Sequence, residues 1–136
     1  MFTDGASRGN PGKAGIGVAI YGQNDVACSS AVLVEELSEY IGVVTNNVAE
    51  YKALIKALET VVKKGLGRVV FKLDSELLVK QINGACKVRN KNLLPLYNEV
   101  MAFLRQIERW EVIHVPRGEN SVADALANKG IDSSLN

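Results

Sequence analysis

Val69-Val70-Phe71-Lys72-Leu73 is a run of five residues with a single polar member, followed at once by Asp74 and Ser75. A continuous apolar run of strand length is the pattern of a strand buried on both faces, as in a parallel pair inside a sheet. Just upstream, Ala49, Ala53, Leu54, Ala57, Leu58, Val61 and Val62 form a helical stripe, with Lys52, Lys56, Lys63 and Lys64 on the other face. Gly65 and Gly67 end that helix. A helix feeding a buried strand predicts an α/β domain.

Working outward, residues 1–7 read as a short strand, and Arg8-Gly9-Asn10-Pro11-Gly12 as a tight connection of turn formers. Gly15 to Tyr21 resumes as a second strand. Residues 26–35 and 39–44 make a third, interrupted near Glu35-Glu36, which completes an antiparallel meander. Downstream, Ser75 opens a helix to about Asn83, and Lys87-Val88-Arg89-Asn90-Lys91-Asn92 is a basic loop. Leu93 to about Glu108 is helical, with Pro95 in the first turn. Trp110–Val115 is a fifth strand, 116–120 a loop, and Ser121 to about Lys129 a last helix. The order βββαβα(α)βα predicts a five-stranded mixed sheet with helices on both faces. One domain over 1–131 is expected, with 132–136 as a frayed tail.

At 136 residues the chain buries about two-thirds of its unfolded surface. Hydrophobic residues at 47% and charged residues at 23% exclude a disordered chain. A net charge of +1 means that any nucleic-acid affinity rests on local patches. Cys28 and Cys86 form no C-x-x-C pattern, which argues against a disulfide framework or zinc site and for a reducing cytoplasmic setting. There is no 18-residue apolar run, and Asp4 leaves little upstream for a targeting segment. The expectation is a soluble, cytoplasmic protein with no membrane association and no obligate protein partner.

Four acids stand against this background. Asp4 falls in the first strand and Asp74 closes the buried one; Glu50 and Asp124 lie in the first turns of two helices. A carboxylate at the edge of apolar packing costs several kcal/mol unless a cation or hydrogen bonds compensate it. Each acid also has a plainer explanation. Asp74 could cap the following helix, Asn47-Val48-Ala49-Glu50 and Ser121-Val122-Ala123-Asp124 have capping-box spacing, and Asp4-Gly5 could be a turn. Jointly they point elsewhere. Adjacent parallel strands set Asp4 beside Asp74, and helix starts can aim two further carboxylates there. An all-oxygen donor set suits Mg²⁺ or Mn²⁺, and two such ions are the usual apparatus of phosphodiester displacement.

These residues lie in four recognisable stretches: Thr3-Asp4-Gly5-Ala6-Ser7-Arg8-Gly9-Asn10-Pro11-Gly12, Thr45-Asn46-Asn47-Val48-Ala49-Glu50-Tyr51, Leu73-Asp74-Ser75, and Arg117-Gly118-Glu119-Asn120-Ser121-Val122-Ala123-Asp124-Ala125-Leu126-Ala127. In this order and over nearly the whole chain, they resemble type 1 ribonuclease H, in a short form without the basic protrusion or a separate hybrid-binding domain. The resemblance implies a ribonuclease H-like fold and hydrolysis of the RNA strand of RNA–DNA hybrids, leaving 5′-phosphate and 3′-hydroxyl ends. It implies two Mg²⁺ ions per site, with Mn²⁺ as a substitute: Asp4 shared by both, Asp124 completing one, and Glu50 with Asp74 serving the other. Substrate contacts would fall on Asn10, Thr45, Asn46 and Asn47, with recognition of 2′-hydroxyls near Asn10, Asn46 and Glu50. Lys87, Arg89 and Lys91 are the compact basic cluster available to grip the duplex.

The chain also departs from the family. Many relatives carry a histidine on a loop before the last aspartate. An ungapped count back from Asp124 matches it to His114, but Trp110–Val115 reads as strand, so a shortened loop is preferred and His114 is expected to pack. Arg117 or Glu119 then takes the vacated role, and Arg117 is the candidate for a bidentate phosphate contact. Glu76 stands where several relatives have glutamine. Two other readings stay open: a catalytically idle nucleic-acid-binding domain of the same fold, and a two-metal nuclease that also takes double-stranded RNA.

Overall fold

The computed structural model describes residues 1–23 and 31–134. Five strands form one sheet: β1 (Phe2–Gly9), β2 (Gly12–Gln23), β3 (Ala31–Val44), β4 (Arg68–Leu73) and β5 (Arg109–His114), in the spatial order β3-β2-β1-β4-β5. β1 to β3 pair antiparallel, while β4 pairs parallel with β1 and with β5. The helices are α1 (Asn46–Lys64), α2 (Glu76–Ile82), α3 (Leu94–Leu104) and α4 (Ser121–Ser133), the last preceded by a 3-10 turn at Arg117–Asn120. The expected mixed sheet and element order are those observed.

Val69–Leu73 is a strand paired parallel on both sides, but it is buried on one face only: Val69, Phe71 and Leu73 are buried, whereas Val70 and Lys72 are half-exposed. Phe71 and Leu73 are fully buried and join Tyr51, Leu54, Leu58, Leu78, Val100 and Leu104 in the main core, between the sheet and α1, α2 and α3. Fully burying each of these large apolar side chains contributes roughly 1.5–3 kcal/mol. The sheet register shows why α4 takes the other face. Gly5 lies opposite Ile16 and Asp4 opposite Gly17, so consecutive β1 residues point to opposite sides. A Cβ on Gly5 would sit 2.1 Å from the Ala49 carbonyl carbon, and one on Gly17 would sit 2.2 Å from the Ala123 oxygen. Two glycines therefore let the main chains of α1 and α4 lie directly on β1 and β2, one helix on each face.

Several boundaries differ from expectation. The third strand is continuous from Ala31 to Val44, and the irregularity expected near Glu35-Glu36 is a bulge at Val34, where the register steps from Ile20–Glu35 to Tyr21–Leu33. The part of that prediction at 26–30 lies outside the described residues. α3 stops at Leu104 rather than Glu108, because Ile107 turns back into the core. α4 runs to Ser133, past the tail expected from 132. Ile131 is buried, Gly130 fits against the Glu39 main chain, and Asp132 pairs with Arg8 at 2.7 Å.

Candidate active site

β1 and β4 run parallel and pair through Phe2–Lys72 and Thr3–Leu73, so the next residues stand side by side: Asp4, still paired with Gly17 of β2, and Asp74, just past the end of β4. Glu50 arrives from α1, where the close approach at Gly5 lets its Oε1 accept a 3.1 Å hydrogen bond from the Gly5 amide. Asp124 arrives from the first turn of α4. One carboxylate oxygen from each of Asp4, Glu50 and Asp74 lies within 4.8 Å of the others. All four acids, with Asn46, Ser75 and Arg117, line a cleft of about 260 Å³. Asp4 and Glu50 are each only 4% exposed; Asp74 and Asp124 are half-buried.

Burial and crowding set the protonation of the cluster. Desolvation first, then the hydrogen bond and repulsion from Glu50 and the nearness of Asp124 and Asp74, push Asp4 far above the ordinary carboxyl range. Desolvation likewise raises Glu50, to about 7, against the hydrogen bonds from Asp4 and the Gly5 amide that lower it. Both carboxyls are raised by burial and lie against one another, so the pair holds on to a proton that free carboxyls would lose and titrates as a unit. A cluster that retains a proton at neutral pH lacks positive charge. Its donors are all oxygens, which is the donor set of a hard divalent cation, and Asp4, Glu50 and Asp74 fit one, with Asp124 lining the same cleft.

The helix-capping explanations fail for all the acids concerned. Thr45, not Asn47, caps α1, with its Oγ1 accepting from the Val48 amide at 3.4 Å, so Glu50 stands two residues too deep for a box. Ser75, not Asp74, is the cap of α2, and Asn120, not Ser121, precedes α4.

The remaining candidates divide by distance from the cleft. Asn10 Oδ1 accepts from the Asn46 amide at 3.2 Å, which fastens the β1–β2 turn to the start of α1 and gathers Asn10, Thr45, Asn46 and Asn47 at one rim. Asn46 alone of these lines the cleft. Arg117 also lines it; its Nη2 is 4.0 Å from Asp124 Oδ1, and its side chain is 83% exposed, a loose contact that solvent screens. Lys87, Arg89 and Lys91 are exposed on the α2–α3 connection, with no ion pair among the described residues, and do not line the cleft. His114 is a correction: it is exposed rather than packed, because it ends the outer strand β5 opposite Leu73, at the same sheet edge as the acids. Glu76 is engaged by Lys80 at 2.9 Å, and that ammonium holds its carboxyl below the usual range. Sequence reasoning assigned no role to Asn120, which is buried and donates from Nδ2 to the Thr3 carbonyl at 2.9 Å. Its only signal was its place four residues before Asp124.

Comparison with known proteins defines the class. Residues 2–130 match the family described as reverse transcriptase-like. A bifunctional protein of Mycobacterium tuberculosis is 43% identical over 131 residues, which are 96% of this chain and 35% of the relative. Ribonuclease HI of Halobacterium salinarum is 39% identical over 98% of this chain and 64% of its own length; ribonuclease H of Coxiella burnetii is 32% identical over 99% and 90%. The chain thus spans about a third of the mycobacterial relative's length. Among solved structures, RNase H1 of Halobacterium salinarum superposes with a TM-score of 0.87 at 38% identity, covering 97% of this chain and 96% of that one. LC11-RNase H1, solved in complex with an RNA/DNA hybrid, gives 0.87 at 38% identity, covering 99% and 97%. The chain belongs to the type 1 ribonuclease H family.

Proposed function

We propose that this chain is a metal-dependent ribonuclease that hydrolyses the RNA strand of an RNA–DNA hybrid, leaving 5′-phosphate and 3′-hydroxyl ends. The observation that carries this reading is the convergence of four carboxylates from β1, α1, the end of β4 and α4 in one cleft, two of them almost wholly buried. A domain that only bound nucleic acid would gain nothing from carboxylates facing phosphate.

Two Mg²⁺ ions, or Mn²⁺ in their place, held by Asp4, Glu50, Asp74 and Asp124 with Asp4 shared, would neutralise the scissile phosphate and activate the attacking water. The chain's own groups do the rest. Asp4 and Glu50 give up the proton they retain when a cation is taken up, which makes loading pH-dependent. Arg117, exposed and only loosely held by Asp124, is able to swing onto a phosphate oxygen at the cleft. Asn10 and Asn46 stand fastened together where a ribose 2′-hydroxyl would be read, with Thr45 and Asn47 behind them. Lys87, Arg89 and Lys91 would hold the backbone of the duplex away from the chemistry, so grip falls with salt. The free, exposed thiol of Cys86 suits a reducing cytoplasmic setting; among the described residues no helix is long and apolar enough to cross a membrane.

The test compares labelled RNA–DNA hybrid, double-stranded RNA and DNA duplex, each with Mg²⁺, Mn²⁺ or chelator. Cleavage confined to the RNA of the hybrid, abolished by chelator, is expected. Binding without cleavage in either metal would replace this reading with the idle binding domain, and equal cleavage of double-stranded RNA would widen the substrate class.

A further inference from the structure

We propose that Asn120 is a positioning residue of the carboxylate site, holding the ends of β1 and β4 and the start of α4 at the spacing in which Asp4, Asp74 and Asp124 meet. This inference rests on the metal-dependent reading above.

Asn120 is 1% exposed, and its Nδ2 donates to the carbonyl of Thr3, 117 residues away in sequence. The main-chain pattern shows where that bond falls. The Lys72 amide donates to the Met1 carbonyl at 2.7 Å. A strand's carbonyls alternate sides with period two, so the Thr3 carbonyl also faces β4, where the amide of Asp74 would be the next donor. The β1–β4 pairing ends at Thr3–Leu73. The side-chain amide of Asn120 donates to the carbonyl of that last pair. It therefore stands in the fork where the strand bearing Asp4 and the strand leading to Asp74 part. Its own main chain precedes α4, which sets Asp124 one turn further on.

The other half of the amide argues in the same direction. Asn120 Oδ1 is buried with no hydrogen-bond partner among the described residues, a cost that an apolar side chain of similar size would not carry. Filling space does not require an amide here. Supplying a donor at the fork does. Asn83 provides an internal control: its Nδ2 donates to the Val112 carbonyl, also at 2.9 Å, joining α2 to β5 where no member of the acid cluster is attached.

The experiment is calorimetric titration of Mg²⁺, without substrate, into the wild-type chain and into Asn120→Ala, Asn120→Leu and Asn83→Ala. Removal of such a supporting hydrogen bond lowers metal affinity on the order of ten- to a hundredfold; that loss is expected in both Asn120 variants and not in Asn83→Ala, whatever each does to the melting temperature. Wild-type affinity in a folded Asn120 variant would overturn the proposal. No Mg²⁺ uptake by the wild-type chain would instead remove the metal-dependent reading beneath it. A measurement that needs no variant follows the Asn120 side-chain NH₂ resonance of the wild-type protein during the same titration. Perturbation with the acids' own saturation is expected, and an unmoved signal would also overturn the proposal.

Discussion

On the proposed function, the carboxylate cleft and the basic α2–α3 connection would meet the same anionic substrate, and they are built in opposite ways. The acids come from four separate elements and converge in one cleft, with Asp4 and Glu50 almost wholly buried. The bases follow one another within five residues, lie fully in solvent and make no ion pairs among the described residues. Burial makes the charges of Asp4 and Glu50 depend on each other and on their neighbours, so the centre of the cleft acts as a unit. Exposure makes each base nearly independent and open to screening by salt. Chemistry belongs in the first environment and grip in the second.

The largest way to break this contrast is at its centre. Asp4→Asn should remove hydrolysis by several orders of magnitude while leaving the metal-free fold as stable or more so, since one of several crowded carboxylates is neutralised. Cleavage above a few per cent of wild type with Mg²⁺, in a steady-state assay, would show that the acids do not act as a unit. Arg117 sits between the two environments, exposed yet lining the cleft. Arg117→Ala should lower kcat by roughly ten- to a thousandfold, the range for losing a charged contact used in the transition state. A change in KM alone would move Arg117 to the gripping side.

The basic connection should respond differently. Replacing Lys87, Arg89 and Lys91 together with alanine should raise KM and leave kcat nearly unchanged. The slope of log affinity against log salt should become shallower by about 0.9 per lost phosphate contact. An unchanged slope would mean that this loop does not touch substrate.

The cleft should also leave a mark on stability. Glu50 is raised in the folded state above its ordinary value, so the stability it contributes is fully present below about pH 4 and is lost as pH rises through about 7. Asp4, raised further, extends the loss to higher pH. Metal-free protein should therefore destabilise across this window by on the order of a few kcal/mol, followed by thermal melts, and excess Mg²⁺ should flatten the profile. A metal-free profile with no such decline would mean the acids are better solvated than their burial implies. His114→Ala marks the small end: an exposed side chain at a strand end is worth within about 0.5 kcal/mol. A large loss of kcat there would make His114, not Arg117, the counterpart of the family's loop histidine.

Much of this was legible from residue order alone, for identifiable reasons. Val69–Leu73 read as a strand because the run is short, rich in β-branched and aromatic residues, and bounded by Gly67 and a helix start. The helical stripe through Ala49–Val62 fixed the face of α1, and four acids flanking such segments could not all be casual. Other features were not legible because they depend on contacts between distant segments. The ends of α3 and α4 follow Ile107 and Ile131 into packing that no local propensity encodes. His114 lies in a good strand sequence, and only the sheet order puts it on the outermost strand, where it stays exposed.

By itself, the sequence determined the element types, the mixed sheet and the identity of the four acids, since periodicity and residue chemistry are local properties. Tertiary structure alone decided which atoms meet. Gly5 and Gly17 bring α1 and α4 onto opposite faces of the same two strands, and the parting of β1 from β4 opens the fork that Asn120 fills. Protonation belongs to that second class as well. A carboxyl's affinity for its proton is set by the water it has lost and the charges around it, and both are fixed only when the chain has closed.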